Sequence, residues 1–338
     1  MIDLTWSEKS EDNINSIKEF SNFVEKSKEF QHKINDNIKL TIEDKKEYNY
    51  LLKKCNEIII SNSDSFFNFN EINRSILFNQ PFPLSEEELY ENNFDLTDFF
   101  SSFNTLGLDN IEKKQISIIF SATIDYIKHL FLQQYNYYSN KLHNFRFYIV
   151  TPSKHEYDLI SDFMKNNKIE NTTVIMIEYK YNNVSPLTMI MNIRFYFLTY
   201  LLVNNLSEKS ILSDLDNLPF DKCLEYLNIY ETVNLKCTSN VTEPLRIAHG
   251  SFSAYKLNKK TTGLMKKYCN IHKIIINTYN SSVSIRNWYI DQITLGDILL
   301  FGNLNTKYIY FHTDNIKTFN GPIEERGDKL KKYIKENL

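Results

Sequence analysis

From Ile116 onward, short β-branched apolar runs alternate with longer segments whose apolar residues recur at helical spacing, and this alternation limits what the chain can fold into. Ile116 to Phe120 reads as a buried strand, Tyr126 to Tyr138 as a helix and Phe145 to Val150 as a second strand. His155 to Met164 reads as a helix with Tyr157, Ile160 and Phe163 on one face. Thr173 to Ile177 is a third strand, Leu187 to Val203 a long helix and Ser210 to Leu215 a fourth strand. A series of this kind predicts an α/β fold, a mostly parallel sheet covered by helices on both faces. Ligands bind such sheets outside the carboxyl ends of the strands, so functional residues are expected just after each one.

The preceding hundred residues carry a different pattern. Ile17, Phe20 and Val24, then Tyr48, Leu51, Cys55 and Ile58 or Ile59, fall at helical spacing and predict two amphipathic helices. Thr41-Ile-Glu-Asp44 has the form of a capping box, and Ser85-Glu-Glu-Glu88 after Pro81 and Pro83 marks another helix start. The stretch Asn104-Thr-Leu-Gly107-Leu-Asp-Asn110 collects turn formers, which sets an expected boundary near 110. The expected organisation is a helical N-terminal region over 1–110 and an α/β domain over 111–338. The helical region could serve recognition, mediate self-association or buttress the second domain. Its scattered lysines read as a solvated face.

Composition narrows the class of partner. The net charge of -3 comes from interleaved Lys and Glu, which argues against a nucleic-acid face, since that needs clustered basic residues. With 24 Phe and 22 Tyr the chain has ample apolar surface for a core. Cys55, Cys223, Cys237 and Cys269 form no C-x-x-C pair and are too sparse for a disulfide framework, so they are expected as reduced thiols. The acidic start MIDLTWSEKSEDN shows no secretory signal, and the longest apolar stretch, Thr188 to Val203, is broken by Asn192 and Arg194. It falls short of the roughly 20 apolar residues of a spanning helix, so the expectation is a cytoplasmic protein with no transmembrane segment.

The sharpest chemical signal is Ile211-Leu-Ser-Asp214-Leu-Asp216-Asn-Leu-Pro219 at the end of the fourth strand. Side chains two apart in an extended segment point the same way, roughly 6.5 to 7 Å apart, so both carboxylates can address one cation. Oxygen ligands of this kind suit Mn²⁺ or Mg²⁺, which keep positions open for diphosphate oxygens. The competing reading is a solvated acidic turn. At the end of the first strand, Ser121-Ala122-Thr123-Ile124-Asp125-Tyr126 offers a small residue, a hydrogen-bond acceptor and an aromatic face for a base. Asp125 could equally cap the helix that follows. Downstream, Arg246-Ile-Ala-His249-Gly250 and Trp288-Tyr-Ile-Asp291-Gln292 bring an acid-amide pair beside aromatic residues, a combination suited to sugar hydroxyls. A helix start with Asp near the positive end of its dipole is the alternative for Asp291.

The order of these pieces resembles the GT-A fold (Rossmann-like) glycosyltransferases, above all the retaining bacterial family of lipopolysaccharide galactosyl- and glucosyltransferases and the glycogenins. The similarity spans Ile116 to Lys332. The resemblance implies a metal-dependent transferase using a nucleotide-sugar donor, with a UDP-sugar as the usual form and a glycan, lipid-linked or protein acceptor, as in bacterial polysaccharide biosynthesis. It implies that Asp125, between the small Ala122 and the aromatic Tyr126, meets the base, that Asp214 and Asp216 hold the metal, ribose and phosphates, and that Asp291 and Gln292 flank the transferred sugar. Arg194, His249, Gly250 and Lys329 fall among the donor contacts, and His312 in the place of a third metal ligand. The spacing of His312, Gly321, Gly327 and Lys329 departs from the family pattern, and Ala-His249-Gly250 replaces its usual Asn-Ser-Gly turn. Two other classes compete: a Mg²⁺-dependent phosphotransferase, which usually carries its D-x-D after the first strand, and a catalytically degenerate binding protein that docks a partner.

Overall fold

The computed structural model describes residues 94–109, 111–180, 186–218, 221–236, 248–278, 304–309, 317–319 and 321–337, with isolated positions between 26 and 50 and Leu295. The Ser85 helix start, Trp288, Asp291, Gln292 and His312 lie outside the described residues. At the N-terminal end the capping box is present: the Asp44 amide donates to Thr41 Oγ1 at 3.0 Å and the Thr41 amide to Asp44 Oδ2 at 2.9 Å.

Strands β1 (Phe103–Leu106), β2 (Lys114–Ser121), β3 (Phe145–Thr151), β4 (Thr172–Tyr179), β5 (Ser207–Ser213), β7 (Thr232–Lys236), β8 (Ala248–Lys256) and β9 (Thr306–Ile309) form one eight-stranded sheet in the order β1-β4-β3-β2-β5-β8-β7-β9. The central strands β4, β3, β2 and β5 are parallel, while β1 and β8 run antiparallel to their neighbours. The chain builds outward from β2 through β3 to β4 and then returns to place β5 on the other side of β2. The order therefore reverses between β2 and β5, the switch point at which doubly wound sheets open a crevice for ligands.

Alternation along the strands sets the two cores. Ile118, Phe120, Phe147, Ile149 and Ile211 face one side, where they meet Ile127, Leu130 and Phe131 and the helix α4 (Lys154–Asn166) through Ile160 and Met164. Ile119, Tyr148, Val150, Ile175, Ile177 and Leu212 face the other, against α5 (Pro186–Val203) and α7 (Lys259–Thr278). The β2-to-β3 crossover begins as α2 (Ile124–Tyr126), widens into a π turn over Ile127–Phe131 and continues as α3 (Leu132–Ser139). Such π turns concentrate at functional sites, and this one follows directly on Asp125 and Tyr126.

Two local readings are corrected. The turn-rich Asn104 stretch lies partly in β1, which pairs with β4. Helix α1 (Leu96–Ser101), capped by Asp95, packs Phe99 against Tyr196 on the same core. The loop expected around His249 and Gly250 is the start of β8, a sheet strand whose Ser251, Phe252, Ser253, Ala254 and Tyr255 are all buried. Small and hydroxyl residues buried on both faces of a strand carry little hydrophobic periodicity.

Phe147 sits between Phe131 at 5.3 Å and Phe145 at 5.3 Å, with Phe120 at 5.9 Å, fully enclosed. Truncation to alanine is expected to cost about 3–5 kcal/mol, measured as a lower urea midpoint at unchanged m.

Candidate active site

The acidic pair stands where β5 ends. The strand stops at Ser213, two residues earlier than expected, and Asp214 to Asn217 form a turn closed by the Asn217 amide on the Asp214 carbonyl at 3.2 Å. The pleat therefore does not align the two carboxylates, and Leu215 between them is buried. Four elements hold the turn. The Asp214 amide donates to the Ser251 carbonyl of β8 at 2.8 Å, and Asn217 Nδ2 donates to the same oxygen at 2.8 Å. From α3, Gln134 Nε2 donates to the carbonyls of Leu215 at 2.6 Å and Asn217 at 3.1 Å. Beyond it, β6 (Asn217–Leu218) pairs with β10 (Lys317–Thr318), and the Phe319 amide donates to the Asp216 carbonyl at 3.2 Å.

Each carboxylate has its own arginine. Arg194 of α5, its side chain 1% exposed, donates from Nη1 to Asp214 Oδ1 at 2.6 Å and from Nη2 to the Gly250 carbonyl. Arg326 lies on the C-terminal helix α8 (Ile323–Asn337) and donates from Nη1 to Asp216 Oδ2 at 3.0 Å and from Nε to the Gly321 carbonyl at 2.7 Å. The Arg326 guanidinium also lies over the Tyr126 ring at 5.9 Å. Helix α8 reaches this position because residue 327 is glycine: a Cβ there would stand 2.6 Å from the His129 carbonyl of the π turn. The Asp214 side chain is 35% exposed and that of Asp216 12%.

That difference in burial sets the electrostatics. Burial first, and the charge of Asp214 second, push the Asp216 carboxyl up to about 6, against the opposing pull of Arg326. The two carboxylates are thus electrically coupled across the turn although each is paired.

At the neighbouring strand end, Ala122 is buried, while Asp125 and Tyr126 are exposed at the start of α2. The N-cap of α2 is Thr123, and the Ile124 amide is taken by Glu156 Oε2 of α4 at 2.7 Å. Asp125 does not fill the capping position. The structure therefore brings Asp125, Tyr126, Asp214, Asp216, Arg194 and Gly250 to one edge of the sheet at the switch between β2 and β5. The His249 backbone belongs to β8 at that edge. Lys329 pairs with Glu325 at 3.0 Å on α8, and its Nζ lies beside Gly321, the residue whose carbonyl holds Arg326. Sequence reasoning missed Arg326 and Gln134; the available signal for the former was Gly327 inside an otherwise amphipathic helix, which marks a close backbone approach.

No protein-family model and no curated protein matches the chain. Among solved structures it is similar to the galactosyltransferase LgtC in complex with donor and acceptor sugar analogs, at 12% identity and a TM-score of 0.36, covering 64% of this chain and 95% of that one. An active-site mutant of LgtC aligns with a TM-score of 0.37 at 12% identity, covering 63% of this chain and 94% of that one. The mannosyltransferase PcManGT from Pyrobaculum calidifontis, in complex with GDP-Man and Mn²⁺, aligns with a TM-score of 0.31 at 12% identity, covering 65% of this chain and 62% of that one. At these TM-scores the functional reading rests on the chain's own geometry.

Asp216 is expected to titrate near 6 in the metal-free protein, followed by carboxyl carbon NMR. An unfolded Asp titrates near 4, so the folded state holds this proton more tightly. Its contribution to stability is full below about 4 and is lost as the pH rises through about 6. Asp214→Asn should lower the midpoint and Arg326→Gln should raise it.

Proposed function

We propose that the chain is a GT-A fold glycosyltransferase that moves a sugar from a nucleotide diphosphate donor, a UDP-sugar being the preferred candidate, to a glycan, lipid-linked or protein acceptor. The observation that carries this reading is the convergence of Asp125 and Tyr126 after β2 with Asp214 and Asp216 after β5, on the two sides of the sheet's switch point. A nucleotide laid across that crevice has its base at one strand end and its diphosphate at the other.

Asp125 would accept a hydrogen bond from a ring N–H of the base, and the exposed Tyr126 ring would offer it a face. Asp214 and Asp216 suit a divalent cation. Both are hard oxygen donors, and a carboxylate whose ionisation is opposed by burial and a like charge gains from a nearby cation. A small hard cation held by few protein carboxylates keeps positions open for donor oxygens. When bound, Mn²⁺ or Mg²⁺ would neutralise the negative charge that gathers on the departing diphosphate. Arg194 fixes Asp214 by holding one of its oxygens and the β8 backbone together. The roles of Asp291 and Gln292 beside the transferred sugar, of His312 as a third ligand, and a retaining outcome belong to the same proposal and come from the family resemblance.

No helix among the described residues is long and apolar enough to cross a membrane. We place the reaction in the cytoplasm, with the sheet-bearing part as catalytic domain and the N-terminal region available for acceptor recognition or self-association.

The test is release of nucleotide by the purified chain from a panel of nucleotide sugars with and without Mn²⁺. Release from one donor is expected to depend on metal and to fall by roughly 10²–10³ in kcat when Asp214 and Asp216 are both changed to Asn, the range seen when a preorganised charge-stabilising group is lost. Asp125→Ala should raise KM more than it lowers kcat, because a contact to the base serves ground state and transition state alike. Release that survives the double substitution contradicts the assignment. Metal-independent binding of a partner without any release favours a degenerate binding module.

A further inference from the structure

The two arginines hold the two carboxylates unequally. Arg194 is enclosed in the core under β5 and β8 and cannot leave Asp214 without opening it. Arg326 is 23% exposed, and two of its three contacts, the Gly321 carbonyl and the Tyr126 ring, do not involve the acidic turn. Only Nη1 ties it to Asp216, at the Oδ2 oxygen. Loss of that one bond leaves the guanidinium anchored beside the place where an anion is proposed to bind.

A divalent cation on Asp216 would compete for the carboxylate charge that the guanidinium now pairs through Oδ2. Like charges held close repel in a poorly solvated site, and an oxygen coordinated to a dication is a weak acceptor for an N–H donor. We propose that Arg326 is a built-in counter-cation on Asp216 which a divalent metal displaces, so that metal loading frees the guanidinium toward the donor's diphosphate. The proposal rests on the metal-site reading of Asp214 and Asp216.

The backbone fixes how this exchange happens. Gly327 lies against the His129 carbonyl, and Leu330 is buried in the core beneath β2 and β3, so the helix end that carries Arg326 is seated. The side chain turns; the helix stays. In charge terms, the acidic pair is balanced by its two arginines before loading. Metal and diphosphate arrive as a second balanced pair, and Arg326 passes from one anion to the other.

The experiment titrates the metal-free full chain with Mn²⁺ at pH 8 without nucleotide, reading free Mn²⁺ by its electron paramagnetic resonance signal. With the competing cation removed, Arg326→Gln is expected to bind Mn²⁺ roughly tenfold more tightly than the unsubstituted chain. Arg326→Lys, which keeps the charge, should stay within about threefold of it, and Asp216→Asn should abolish binding. A second readout needs no variant: phenylglyoxal labelling of Arg326, followed by peptide mass, should speed up several-fold when saturating Mg²⁺ is added, while Arg194 remains protected. Mn²⁺ binding that Asp216→Asn abolishes but Arg326→Gln leaves unchanged or weakens overturns the exchange and spares the metal site. Labelling of Arg326 that Mg²⁺ does not accelerate also overturns it. Absence of Mn²⁺ binding in the unsubstituted chain overturns the exchange and the metal reading together.

Discussion

The contact on which the site depends is the buried guanidinium of Arg194 on Asp214 and the Gly250 carbonyl. It ties three elements that are far apart in sequence, α5, the end of β5 and the start of β8, at the point where the strand order reverses. A charge this deeply enclosed is tolerated only when paired and hydrogen-bonded. Replacing Asp214 therefore takes a carboxylate away from a buried guanidinium, and replacing Arg194 leaves the carboxylate without its fixed direction. Stability and site geometry are linked through the same pair.

The second carboxylate obeys a different logic. Asp216 is more buried than Asp214, has its carboxyl pushed above the ordinary carboxylate range by that burial and is held from outside by a helix that joins the fold late in the chain. The C-terminal segment reaches it twice, through β10 on β6 and through Arg326, and the missing side chain of Gly327 lets α8 approach closely enough for the second contact. One acid is thus held by an enclosed arginine and the other by a partly exposed one.

Much of this was legible in the sequence. The apolar runs at Ile116, Phe145 and Thr173 and the long helix from Leu187 correspond to β2, β3, β4 and α5, because strands buried on both faces and a helix buried all round are read from hydrophobicity alone. The acidic pair was visible from its place after an apolar strand. Its turn geometry was not, since Ser213 could continue or end the strand and the decision comes from the tertiary bonds of Gln134 and Ser251. Strand β1 was obscured by its turn-forming residues and β8 by its serines. Arg326 was invisible because its partner lies 110 positions away and the only local mark was a glycine inside a helix.

The central claim is that one crevice, between the ends of β2 and β5, takes both halves of a nucleotide diphosphate. A crystal structure of the full chain soaked with UDP and Mn²⁺, with anomalous differences collected at the manganese edge, tests it most directly. The account predicts a manganese peak touching Asp214 and Asp216, the diphosphate on the metal and the base beside Asp125 and Tyr126. A manganese peak away from the acidic turn, or a nucleotide bound elsewhere on the fold, would contradict it.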